Sequence, residues 1–212
     1  MILLLDNHDS FTWNLAELLR ITGEEPFEVI SSGIFEVSWL SRFSRIIFSP
    51  GPGLPEEQPV MMAILKEIEN MHSAGHPVPS LLGVCLGMQA IAMHFGGKLF
   101  NLPAVVHGQP RPLMISDPPD MLFREIPQGS SVGLYHSWAV EASTLPDCLE
   151  ATAFSSDGIL MAIRHQTLPV RGVQFHPESV VTQFGKEMMM NWKTLKKLRL
   201  WKLQRRLALG NR

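Results

Sequence analysis

Three short apolar runs, Ile2–Leu5, Ile46–Phe48 and Leu81–Val84, are each followed at once by a turn and then by apolar positions at helical spacing. The turns are Asp6-Asn7-His8-Asp9-Ser10, Ser49-Pro50-Gly51-Pro52-Gly53, and the single corner residue Cys85. Strand, turn and helix repeated in this order predict a parallel α/β sheet. The spacing predicts helices over Ser10–Ile21, capped by Asp9 or Ser10, over Glu57–His72, and over Leu86–Phe95, where Gly96-Gly97 stops the last. Beyond Gly97 the apolar runs shorten and are broken by Pro and Gly. Gly133–Val140, Cys148–Phe154, Ile159–Arg164 and Gly172–Phe175 read as strands joined by turns. The expected fold is therefore α/β, with a central, mostly parallel sheet flanked by helices and a small additional antiparallel strand region.

In open sheets of this kind ligands sit beyond the carboxyl ends of the strands, where all three turns would lie together. Composition adds a soluble globular character: 212 residues, 45% of them hydrophobic and 18% charged, are enough for one domain with a full core. No apolar run is long enough to span a bilayer, and Met1–Leu5 reaches Asp6 too soon to act as a secretion signal, so a cytoplasmic protein is expected. The two cysteines, Cys85 and Cys148, suggest no disulfide framework, and no Cys/His spacing resembles a metal site. Neither a metal nor a cofactor is expected.

Charge divides the chain. Residues 193 to 212 carry eight Lys or Arg and no acid, which leaves ten basic against twenty acidic side chains in the rest. The expected division is a domain over 1–192 and a basic tail over 193–212, with leucines and Trp201 interleaved as in a basic amphipathic helix. Such a helix suits nucleic acid, a membrane or an acidic protein face, but packing on the chain's own acidic domain is the commoner outcome, and no nucleic-acid or membrane partner is expected.

Candidate chemistry centres on Gly83-Val84-Cys85-Leu86-Gly87-Met88-Gln89. Glycines on both sides allow a sharp corner, and the following helix aims free N–H groups and its positive end at the sulfur, which favours a reactive thiolate. A base is available in Gly172-Val173-Gln174-Phe175-His176-Pro177-Glu178-Ser179: Pro177 excludes a helix, and residues two apart in an extended segment face one side. His176 and Glu178 can thus act as base and orienter. An oxyanion formed at Cys85 needs backbone donors, which Gly53 and Leu86 can supply. Gln89, one helical turn after Cys85, can reach the polar end of a bound substrate.

Taken together, Gly83-Val84-Cys85-Leu86-Gly87, Pro50-Gly51-Pro52-Gly53 and Gly172 through Ser179 resemble the signatures of class I glutamine amidotransferases. The opening Asp6-Asn7-His8-Asp9-Ser10-Phe11-Thr12-Trp13-Asn14-Leu15 and the later Tyr135-His136-Ser137 resemble the chorismate branch of that class, the small subunits of anthranilate synthase and aminodeoxychorismate synthase. The likeness runs from Met1 to about Trp192 and implies the flavodoxin-like sheet of that class. It implies a glutaminase in which Cys85 attacks the glutamine amide, His176 serves as acid and base, and Glu178 orients it. The family pattern puts oxyanion donors at the Gly53 and Leu86 amides and substrate contacts at Gly51, Gln89 and the backbone of Ser137 and Trp138. It further implies a separate, larger chorismate-binding synthase subunit that receives the ammonia, and low glutaminase activity without it. The product, anthranilate or aminodeoxychorismate, is left open.

Three positions depart from the pattern. Met88 stands where His is frequent, Leu134 where Arg commonly precedes Tyr-His-Ser, and Gln109-Pro110 where Lys-Thr or a similar pair is frequent. None belongs to the triad; they bear on partner contacts and on the substrate's edge. Two other functions use the same residues: a cysteine hydrolase of another acyl substrate, and a non-catalytic binding module of the same fold. The retention of Cys85, His176 and Glu178 together speaks against the latter.

Overall fold

A computed structural model describes residues 1–195. Alternation along its first strand, β1 (Ile2–Asp6), sets the layering: Ile2 and Leu4 enter one core, Leu3 and Leu5 the other. A strand that is apolar on both faces must be covered on both. One face carries α1 (Thr12–Ile21) through Leu15, Leu18 and Leu19, beside a C-terminal helix α4 (185–195) through Met188, Met189 and Trp192. On the other lie α2 (Pro59–Ser73), through Met61, Ile64, Leu65 and Ile68, and α3 (Leu86–His94).

The remaining strands are β2 (Phe27–Ser31), β3 (Arg45–Phe48), β4 (Ser80–Val84), β5 (Leu99–Ile115), β6 (Ser131–Val140), β7 (Leu149–Ser155), β8 (Leu160–His165) and β9 (Val170–Val173). They form one sheet in the order β2-β1-β3-β4-β9-β8-β7-β5-β6. The first five are mutually parallel and the last four join antiparallel. Register brings Phe48 beside Gly83 and Val84 beside Val173, so the segments leaving β1, β3, β4 and β9 emerge at one rim. The α/β sheet with an antiparallel extension is the expected fold.

Local details differ from the sequence reading. The N-cap of α1 is Phe11, while Asp9 instead accepts the Phe11 N–H at 2.7 Å, an Asx-type turn before the helix. Strands β2 and β5 were not anticipated. β5 carries Pro103, which falls in the register shift between Asn101 and Val106, and Pro110 and Pro112, which stand opposite Gly133 and Ser131. The N–H and C=O groups of those two residues bond to His176, Thr182 and Gln183 and ask no donor of β5.

The junction at 192/193 is continuous in the structure. Lys193 is buried; its Nζ donates to the Leu19 carbonyl at 3.0 Å and to Thr22 Oγ1 at 2.9 Å, closing the C-terminus of α1. Arg45 in turn donates to the Lys193 carbonyl and pairs with Glu25 at 2.6 Å. The basic segment over 196–212 lies outside the described residues. Among the described residues no helix is long and apolar enough to cross a membrane.

Candidate active site

Cys85 stands between β4 and α3 with φ 51° and ψ −102°, a left-handed conformation that a residue with a Cβ seldom adopts. The surroundings impose it. Its N–H donates to the Val173 carbonyl at 2.8 Å, and no side chain fits at the flanking glycines. A Cβ on Gly83 would lie 2.4 Å from the Gly87 carbonyl, and one on Gly87 2.7 Å from Phe48 Cβ. The strained corner and the close approach of α3 to the sheet are thus one arrangement.

The His176 imidazole is nearly fully buried, and its Nδ1 donates to Glu178 Oε1 at 2.7 Å across Pro177. That bond leaves Nε2 as the nitrogen for other chemistry, and Nε2 has no partner of good hydrogen-bond geometry. Burial opposes the imidazolium, but interaction with the Cys85 sulfur and the Glu178 carboxylate outweighs it, so the ring is pushed up from 6.5 to about 10. Such a ring carries its proton at neutral pH beside the sulfur. Rings of Phe11 and Tyr135 each stand 4.9 Å from it and 4.7 Å from one another, a three-ring cluster that shields it from water.

The turn is strapped to β6. His176 N–H donates to Gly133 O at 3.1 Å, and Thr182 Oγ1 donates to the His176 carbonyl at 2.6 Å while accepting from Gly133 N–H at 3.0 Å. Tyr135 Oη meets Ser179 Oγ at 2.9 Å. From below, Gly185 opens α4 so close to Pro177 that a Cβ there would lie 1.7 Å from its carbonyl oxygen.

The loop after β3 abuts the helix that follows the nucleophile. A Cβ on Gly51 would sit 2.7 Å from Leu86 Cδ2 and 2.8 Å from Asn7 Cβ. Asn7 fixes the loop, its backbone N–H donating to Ser49 Oγ and its Nδ2 to the Ser49 carbonyl, both at 2.9 Å. Gly53 has φ +76°, and the Glu57 carboxylate fills the space where a side chain would go while accepting the Leu54 N–H at 3.0 Å.

Ser137 and Trp138 lie half-buried on β6. The Trp138 carbonyl accepts from Gln89 Nε2 and from His136 Nδ1, each at 2.8 Å, so both its lone pairs are used. A substrate must therefore meet this strand at other atoms. Gln89 Nε2 also donates to Gln174 Oε1 at 3.2 Å, which leaves its own Oε1 as the uncommitted atom. His136 is buried with Nε2 unpartnered; burial, offset in part by the Trp138 carbonyl, holds its ring below the ordinary imidazole value. Of the residues that depart from the family pattern, Met88 is wholly buried against Gly172 and Leu134 is buried in the core, so both are packing residues.

Sequence reasoning gave no role to Gln174, whose Nε2 stands 3.4 Å from Cys85 Sγ, nor to His136, Phe11, Tyr135 or Glu57. Gln174 carried a usable signal, since it precedes His176 by two on an extended segment. Cys85 and Cys148 are both free thiols. Among the described residues no group of three or more His, Cys, Asp or Glu side chains is placed to hold a metal ion.

A strained cysteine at a strand-to-helix corner, facing a carboxylate-held histidine from a neighbouring parallel strand, is the arrangement of a thiol acyl-transfer enzyme. The model of the class I glutamine amidotransferase family matches residues 3–194, and the chain belongs to that family. Among its relatives, aminodeoxychorismate/anthranilate synthase component 2 of Bacillus subtilis is 40% identical over 194 residues, covering 91% of this chain and 95% of that one. Aminodeoxychorismate synthase component 2 of Escherichia coli K12 is 37% identical over 194 residues, covering 91% and 98%. The fold also matches the crystal structure of a glutamine amidotransferase from Thermotoga maritima, with TM-score 0.69, 18% identity, and coverage of 99% and 88%.

Proposed function

We propose that this chain is the glutamine-hydrolysing subunit of a chorismate-aminating synthase, with Cys85 as nucleophile, His176 as acid and base, and Glu178 as its orienter. The observation that carries the reading is the His176–Glu178 bond of 2.7 Å beside a cysteine held at φ 51°. Kinship with component 2 proteins named for anthranilate and aminodeoxychorismate synthases supports the acceptor class and a separate, larger subunit.

The Cys85 thiolate attacks the side-chain amide carbon of glutamine, and the oxyanion that forms meets the Gly53 and Leu86 N–H groups. His176 gives its proton to the departing nitrogen, releasing ammonia and leaving a γ-glutamyl thioester. Thiolate charge is consumed in that step, and with it part of what held the proton on the ring, so the imidazolium becomes a better acid when an acid is needed. His176 then takes a proton from water as it attacks the thioester; glutamate leaves and the thiolate returns. Net, glutamine and water give glutamate and ammonia. Gly51, Gln89 through Oε1, and the Ser137–Trp138 backbone bind the substrate. The ammonia passes to the chorismate-binding subunit.

The test is Cys85→Ser in the complex with that subunit. Glutamine-dependent synthesis should disappear while synthesis from added ammonia persists, and identification of the aminated product decides between anthranilate and aminodeoxychorismate. Loss of both activities in a complex that still assembles would refute an ammonia-supply role.

A further inference from the structure

One side-chain amide and one imidazole, of Gln89 and His136, converge on the Trp138 carbonyl, and that carbonyl dictates the direction of every bond in the chain that leads to the nucleophile. A carbonyl oxygen only accepts. The atom of Gln89 that faces Trp138 O at 2.8 Å must therefore be Nε2, not Oε1. Having two hydrogens, the same Nε2 gives its second to Gln174 at 3.2 Å, so the atom of Gln174 facing Gln89 must be Oε1. Gln174 then has only one way to stand, with its NH₂ toward Cys85 Sγ at 3.4 Å. Flipping Gln89 would set its oxygen against the Trp138 carbonyl, and flipping Gln174 would set two NH₂ groups against each other, in a buried space. His136 closes the arrangement: its Nδ1 must also be a donor to Trp138 O, which fills the second lone pair and leaves no room for Gln89 to be replaced there.

We propose that Gln174 is a catalytic hydrogen-bond donor to the Cys85 sulfur, and that Gln89 and the Trp138 carbonyl are positioning groups that fix which end of its amide faces the thiol. The role deepens the glutaminase reading and rests on it for its catalytic meaning. A donor aimed at sulfur favours the anionic nucleophile and keeps its lone pair directed into the cleft. Unlike His176, which moves its proton, Gln174 cannot transfer one and stabilises the sulfur at every stage in which it is an anion. Because the relay begins on the strand that also borders the substrate, it ties the state of the nucleophile to the placement of Ser137 and Trp138. The titratable side chains near the sulfur are His176 with its partner Glu178 beyond β9, and next to His176 stand His136 and Tyr135 on β6; β4 has none, and α3 has none before His94.

Gln174→Glu keeps an acceptor for Gln89 and removes the donor but adds a charge beside the sulfur, so it is paired with Gln174→Leu, which removes the donor without a charge, and the expected fall must appear in both. Iodoacetamide alkylation is followed at Cys85 by peptide mass, which separates it from Cys148, across the pH range. The rate at neutral pH should fall about tenfold in each, with the half-maximal pH moved upward by about one unit. Gln89→Leu, which leaves Gln174 in place but free to rotate, should give a smaller fall of about threefold. An unchanged alkylation profile in either Gln174 variant that melts like the parent overturns the proposal. Should neither fold, Gln89→Leu decides, and a parental profile in it overturns the relay. A complex with the synthase subunit in which the parent chain hydrolyses no glutamine, while the variants show these alkylation shifts, would sink the glutaminase reading and leave the donor role standing.

Discussion

His176 and Glu178 meet through Nδ1 and Oε1 at 2.7 Å with Pro177 between them, and neither side chain is open to solvent. Two residues apart on an extended segment, they would face the same way in any protein. Here the segment is also tied to β6 through Gly133 and Thr182 and backed by Gly185, so the geometry is set before substrate arrives. Glu178→Gln should keep the contact but remove the charge that holds the imidazolium. Glutamine turnover by the complex should drop about 10²-fold or more, with KM for glutamine nearly unchanged. A fall in affinity with turnover intact would assign Glu178 to binding.

Gly53→Ala should disrupt the loop proposed to hold the oxyanion. A methyl group there collides with the Glu57 carboxylate, its ideal position being 1.8 Å from Oε2, and φ +76° is strained for any L side chain. Turnover of glutamine should decline about 10²–10³-fold while ammonia-dependent synthesis holds. Adding Glu57→Ala removes the collision but not the strain, so rescue should be partial. Full recovery in the double variant would show that crowding alone was responsible.

Stability should respond most to Asp120, which is almost wholly buried and ion-paired with Arg171 at 2.8 Å and with Arg164 at 3.3 Å. Burial raises its carboxyl, but the Arg171 hydrogen bond and charge win, so the group lies below the ordinary 3.8. Its contribution is therefore present above about pH 4 and is lost as pH falls through the lowered value. Asp120→Asn should cost about 3 kcal/mol at pH 7 and flatten the acid limb of the melting-temperature curve, both read by calorimetry. An acid limb identical to the parent's would show that other carboxylates govern it.

Ending the chain after Leu195 and ending it after Trp192 should differ sharply. The longer form keeps the Lys193 bonds to Leu19 and Thr22 and its carbonyl's bond to Arg45; the shorter form loses all three. About 2–3 kcal/mol should separate them in denaturant. Equal midpoints for the two truncations would mean the Lys193 contacts contribute nothing.

Much of the site was legible because its chemistry sits in contiguous words. Cys85 follows a buried run and precedes a helical one, and His176 and Glu178 lie within three residues. The parallel strands were legible for the same reason: an apolar run buried on both faces leaves an unbroken mark, as in Ile2–Leu5. β2 left a weaker one, since its five residues are all half-buried and Glu28 faces solvent to pair with Arg42 at 3.0 Å. β5 concealed itself behind three prolines, one in a register shift and two opposite residues whose backbone groups bond elsewhere. The Gln174–Gln89–Trp138 relay could not be read at all, because its polarity comes from a backbone carbonyl that only tertiary folding brings there. Met88 illustrates the converse: a departure from the family pattern that looked like an edge of the site proves to be core.

Helix α4 begins against the carbonyl of Pro177 and reaches the Arg45 end of β3, a span of about 16 Å for its described residues. Whatever follows Leu195 thus sets out from the pole of the molecule opposite the reacting thiol. A fluorophore or affinity handle joined at that point would stand a helix length away from the Pro177 turn that carries His176 and Glu178.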